Sequence, residues 1–172
     1  MYFLYYCAYT RKGVFMSSNS GIYSDSAIEI MREFDSLPDM SMNRIEIIKE
    51  LAKNTGVKKI GIAHCIMFRS EAQTISKYLS KDFKVYTVDC KYGNLSRKEL
   101  LGSGGGTLCN PGGQAEYLNS KNCEMNISIG LCVGHDMIFN KCSKGYVTNL
   151  FAKDFTNGND TEAALYEISN SI

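Results

Sequence analysis

From Val57 to Asp154, short apolar runs alternate with stretches in which apolar residues recur every three or four positions. The runs VKKIGIAHCI (57–66), FKVYTVDC (83–90), MNISIGLCVG (125–134) and VTNLFAKD (147–154) have the length and β-branched content of strands. Helical signals lie between them. Ser70 with Gln73 forms a capping box for a helix through Ala72, Ile75 and Leu79, and Asn110-Pro111 opens another over GGQAEYLNSK. MIFNK forms a short amphipathic turn before the fourth strand, and TEAALYEISNSI reads as a closing helix capped by Thr161.

Upstream, SAIEIMREFDS (26–36) predicts a short helix ended before Pro38. The next helix is capped by Asn43 with Glu46 three residues on, carries Ile45, Ile48 and Ala52 on one face, and stops at Gly56. Residues 1–25 carry no readable pattern beyond the break SSNSG. Strands separated by helices predict an α/β fold: a three-layer sandwich with a mainly parallel sheet of about four strands, Rossmann-like or flavodoxin-like, in one domain over residues 1–172.

That topology gives meaning to the strand ends. His64-Cys65, Asp89-Cys90, Cys132 with His135-Asp136, and Lys153-Asp154 all fall where a predicted strand finishes, and Cys109 immediately precedes a helix start. Parallel strands put their carboxyl ends on one edge, where open α/β sheets bind ligands. Cys65, Cys90, Cys109 and Cys132 are thereby expected on one rim, together with the chain's two histidines. Four thiolates suit zinc or an iron–sulfur cluster, and His64 or His135 could replace a thiolate or act as the acid/base partner of one. A cysteine in a strand is also a common small core hydrophobe, so the competing reading is a buried, unreactive set.

Composition changes little except for sulfur. The 172 residues carry 19 basic and 18 acidic side chains, and a net charge of +1 gives no electrostatic case for nucleic acid or an anionic membrane. No stretch approaches the roughly 20 apolar residues of a membrane span, and the apolar start MYFLYYCAYTRKG lacks the layout of a signal peptide. A cytoplasmic location is therefore expected. The seven cysteines are odd in number and form no CxxC pair, which argues for reduced thiols over a disulfide framework and against a zinc ribbon. GSGGGTLCNPGG (102–113) holds six glycines in twelve residues, leaving backbone free to approach a ligand. Gly112 and Gly113, at the start of the following helix, are candidate cofactor-binding residues through their N–H groups.

The segments IGIAHCIMFRSEA, VDCKYG, CNPGGQAEYLN and NISIGLCVGHDMIF, closing in VTNLFAKD, resemble the prokaryotic family DUF1847 over about Val57 to Asp154. The resemblance implies a cysteine-based metal-binding protein of undefined reaction, with Cys65, Cys90, Cys109, Cys132, His135 and Asp136 at the matching positions. It also implies a compact N-terminal cysteine cluster, of which this chain keeps only Cys7.

Three functions follow. The first is metal binding by Cys65, Cys90, Cys109 and Cys132, with His135 as an alternative ligand, serving a redox or sensing role through an iron–sulfur cluster or zinc. The second is an enzyme with Cys109 as nucleophile, His135 as acid/base, Asp136 or Asp154 as orienting carboxylate and N–H groups near Gly112 as an oxyanion hole. The third is a non-catalytic interaction domain whose cysteines are core. No protein partner can be read from the sequence.

Overall fold

A computed structural model describes residues 19–37 and 41–171. Cys7 and the expected N-terminal cluster lie outside the described residues. Helices α1 (Asp25–Asp35) and α2 (Arg44–Asn54) lead into the sheet. The α2 capping box is formed as expected: Asn43 Oδ1 accepts from the Glu46 N–H, and Glu46 accepts from the Asn43 N–H. Then follow β1 (Lys59–His64), α3 (Arg69–Leu79), β2 (Lys84–Asp89), α4 (Arg97–Leu101), α5 (Pro111–Ser120), β3 (Met125–Ile129), α6 (Val133–Cys142), β4 (Tyr146–Phe151) and α7 (Thr161–Ser169).

The four strands pair in parallel in the order β2-β1-β3-β4. Ile60 and Ile62 of β1, with Met125, Ile127 and Ile129 of β3, pack on Ile48 and Ala52 of α2 and on Ala72, Ile75 and Leu79 of α3. Ala63 and Val88 face the other way, onto Ala115 and Leu118 of α5 and Phe139 of α6. Helices on both faces make the three-layer, Rossmann-like sandwich that alternating strands and helices predict. Gly61 allows the sheet and α5 to approach: a Cβ there would lie 2.7 Å from a Leu118 methyl and 2.2 Å from Asn126 Oδ1. The chain leaves β1 towards β2 by α3 and returns across to β3 by α5 on the opposite face. The strand order therefore reverses between β1 and β3, and their carboxyl ends flank the crevice.

Several boundaries differ from expectation, each for a local reason. The third strand stops at Ile129, not Gly134, because Gly130 turns the chain at φ +56 with the Phe68 ring packed over it. Val133 and Gly134 belong to α6, which also absorbs the MIFNK turn, and Cys132 is its N-cap. Ser70 does not cap α3: that helix starts at Arg69, continuous with a 3-10 turn over Ile66–Phe68, and the Ser70 hydroxyl donates to Glu71. Asp160, not Thr161, caps α7 by accepting from the Glu162 and Ala163 N–H groups. The Gly-rich segment is preceded by α4, closed by Gly102 in the left-handed conformation.

Candidate functional site at the carboxyl edge

Three chain reversals deliver the sulfurs. After β1, Cys65 donates its N–H to the Ile129 carbonyl, tying the ends of the two central strands together. Its own side chain stands at the start of the 3-10 turn that runs into α3. After β2, Cys90 is held when its carbonyl accepts the Asn110 N–H at 2.7 Å, bringing the loop that carries Cys109 back onto the strand end. After β3, Gly130 and Leu131 lead to Cys132 at the head of α6. Gln114 of α5, fully buried, fixes the first two ends by donating Nε2 to the carbonyls of His64 (3.2 Å) and Val88 (3.0 Å). These are ladder ends that the sheet leaves open, and an amide can satisfy both.

Cys90 and Cys109 sulfurs lie 3.7 Å apart. Cys90 Sγ also accepts the Ile66 N–H, 3.4 Å away, and Cys65 is near enough to interact with it electrostatically. Lys153, beyond β4, reaches in from the other side: its Nζ lies 2.8 Å from Cys65 Sγ and 3.4 Å from Cys132 Sγ. The four predicted cysteines thus stand as two contact sets, Cys109 with Cys90 and Cys65 with Cys132 through Lys153. Cys65 and Cys90 are buried, whereas Cys109 and Cys132 are half-buried. Phe68 stacks edge-on against Phe151 and near-parallel to Phe155, walling this end of the crevice.

The thiols differ electrostatically. Burial pushes the Cys65 thiol up, but Lys153, the Met67 N–H and Cys90 together outweigh it and hold its pKa below that of an ordinary cysteine. Cys90 is pushed up to about 12, first by burial and further by Cys109 and Cys65, against the Ile66 N–H, which lowers it. Lys153 is lowered by burial yet held above its usual value by Cys65 and Cys132. Cys65 thus has a cationic partner that favours its ionised form, while its neighbour Cys90 is held towards the protonated one.

Other predicted residues are not bonded to these sulfurs. His135 and Asp136 sit in the first turn of α6; the His135 side chain makes no hydrogen bond or ion pair among the described residues, and Asp136 Oδ1 is buried without a partner among them. Cys109 meets Cys90 in place of a histidine. Asp154 accepts from Thr156 and Asn157 within its own turn, which holds its carboxyl below the usual range. The Gly113 N–H is taken by Asn110 Oδ1 at 2.8 Å, the ordinary N-cap bond of α5. His64 is buried with Nδ1 2.9 Å from the Cys65 carbonyl, and lines a cleft of about 360 Å³ with Arg69, Gln73, Thr87 and Asp89. Of the remaining cysteines, Cys123 is core and Cys142 is exposed at the end of α6. The residues that sequence reasoning passed over are Lys153 and Gln114. Lys153 carried the same signal as the cysteines, since it follows a parallel strand, but a lone lysine at a strand end points to no particular chemistry.

A parallel α/β sheet with thiols from separate reversals gathered at its switch point is a cysteine-rich member of the doubly wound class. The chain belongs to the DUF1847 family, described as "Protein of unknown function", whose model matches residues 16–150. The match begins well upstream of Val57 and ends just short of Lys153. The chain is also 41% identical over 132 residues to "Uncharacterized protein MJ0455" of Methanocaldococcus jannaschii, covering 74% of this chain and 68% of that one. No solved structure matches.

The donor set suits a soft ion, yet no three His, Cys, Asp or Glu side chains among the described residues stand together as a ready metal site. Lys153 occupies the approach between Cys65 and Cys132. No helix among the described residues is long and apolar enough to cross a membrane.

Proposed function

We propose that the protein binds a thiophilic metal through Cys65, Cys90, Cys109 and Cys132, zinc being the ion the spacing suits and an iron–sulfur cluster the alternative. The observation that carries this reading is the 3.7 Å separation of the Cys90 and Cys109 sulfurs. Four sulfurs at about 2.3 Å from a tetrahedral zinc lie about 3.8 Å from one another, so this pair already spans one edge of such a site. A cubane cluster takes one cysteine per iron and needs its sulfurs further apart; a single ion, or one iron of a two-iron cluster, accepts two at this distance. Convergence of four thiols from three separate reversals supports the same reading, and Cys123 and Cys142 stand outside it. Free thiols in this number suit a reducing compartment such as the cytoplasm.

Anaerobic purification followed by assay of zinc, iron and acid-labile sulfide tests it. One ion per chain, lost in Cys90→Ala, is the expected result. A metal-free protein that also fails to take up zinc in competition with a weak chelator would overturn it.

The 2.8 Å contact between Lys153 and Cys65 favours a second reading, a cysteine nucleophile, and moves it from Cys109 to Cys65. In that case a small iodoacetamide excess at neutral pH alkylates Cys65 ahead of Cys109. Equal rates at the two would remove it.

A further inference from the structure

Metal binding by the four cysteines gives no role to Lys153, which touches two of them. Lys153 is half-buried, and its Nζ is within hydrogen-bond reach of two sulfurs, at 2.8 Å from Cys65 and 3.4 Å from Cys132. Cys90 and Cys109 form one close pair, and the lysine stands in the gap between Cys65 and Cys132. An ion ligated by all four sulfurs has to bridge that same gap. Two cations cannot share it: at such separations in a partly desolvated site, like charges repel strongly.

We propose that Lys153 is a built-in counter-cation of the metal-free site, occupying the gap between Cys65 and Cys132 and displaced when an ion is loaded. This rests on the metal-binding reading. Loading exchanges the two N–H···S contacts for metal–sulfur bonds. Any sulfur still protonated gives its proton to water, and the lysine leaves as an ammonium with its proton retained. The lysine has somewhere to go, because Nζ already lies 5.4 Å from the centroid of the Phe155 ring, and Phe155 is 64% exposed. A cation displaced from the sulfurs can settle on that face and remain in contact with water. Lys153 is thus a positioning residue that sets the threshold for loading; it is not a ligand.

Cobalt(II) is the probe, since its thiolate charge-transfer absorption reports how many sulfurs bind. The full chain is titrated anaerobically as wild type, Lys153→Met, Lys153→Gln and Phe155→Ala, with affinity set by competition against a chelator. Lys153→Met is expected to bind about ten- to a hundredfold more tightly with an unchanged band, the equivalent of the hydrogen bonds to a charged group that need no longer be broken. Lys153→Gln keeps side-chain length and polarity without charge, and gives the same direction should the methionine variant fold poorly. Phe155→Ala is expected to weaken binding about two- to fivefold by removing the lysine's alternative contact. Wild-type binding with the four-thiolate band, but equal or weaker affinity in both Lys153 variants, would overturn the inference and leave metal binding standing. A wild type showing no thiolate band would overturn metal binding itself, and the inference with it.

Discussion

Cys65 and Cys123 are equally buried, each 5% exposed, and each lies next to a central strand, but they sit on opposite edges of the sheet. At the carboxyl edge, Cys65 meets an ammonium, a backbone N–H and a second thiol, and its pKa falls despite burial. At the amino edge, Cys123 packs with Ala115, Leu118 and Phe139, and burial pushes it to about 11 even with Lys59 and Lys121 pulling the other way. Burial alone therefore decides neither reactivity nor function. Parallel strands aim the heads of the following helices and the ends of all strands at one edge, so polar and ionic partners collect there. The amino edge receives the opposite helix ends, and around Cys123 it packs hydrocarbon.

The sharpest way to break this contrast is to compare one glycine from each edge. Gly130, at φ +56, would place a Cβ 2.1 Å from the Phe68 ring, whereas Gly56, at φ +72, has nothing within 4 Å. Gly130→Ala is expected to cost about 3 kcal/mol or more through strain and overpacking combined, and Gly56→Ala about 1 kcal/mol through strain alone, both read from urea unfolding. Equal losses would mean that Phe68 gives way and that the turn at Gly130 is not tightly constrained.

A smaller effect is expected at Cys123. Cys123→Ala removes a buried sulfur and should cost about 1–2 kcal/mol while leaving bound metal unchanged, the reverse of a Cys90 substitution. Loss of metal in the Cys123 variant would dissolve the distinction between edges.

The smallest effect is on pH dependence. The Cys123 thiol ionises near 8.5 when unfolded but at about 11 when folded. Its contribution to stability is complete below about pH 8.5 and is lost as pH rises towards the folded value. Cys65 has the opposite sign: its contribution is present above the unfolded thiol pKa and is lost as pH falls through the lower folded one. Urea midpoints between pH 8 and 10.5 should fall less steeply in Cys123→Ala than in the wild type, and an unchanged slope would contradict the buried, neutral thiol.

The sheet, its direction and the edge carrying the four cysteines were legible because strand runs and capping residues alternate cleanly; Asn43 and Asn110 cap as their positions suggest. The turn at Gly130 was not, because Leu131-Cys132-Val133 continues the apolar run across it, and only the packing of Phe68 shows where the strand ends. The pairing of Cys109 with Cys90, rather than with His135, depends on how the Gly-rich loop returns to β2, and no periodicity encodes that. Lys153 was visible as a strand-end residue, but its reach to two sulfurs is a tertiary fact.

Metal protection of thiols, mapped residue by residue, tests the central claim most directly. The folded protein is alkylated anaerobically with and without one equivalent of zinc or cadmium, and each cysteine is quantified by peptide mass spectrometry. Joint protection of Cys65, Cys90, Cys109 and Cys132 is expected, with Cys142 labelling freely and Cys123 slowly in both states. Independent labelling of the four, or protection extending equally to Cys142, would contradict a single thiol site at the carboxyl edge.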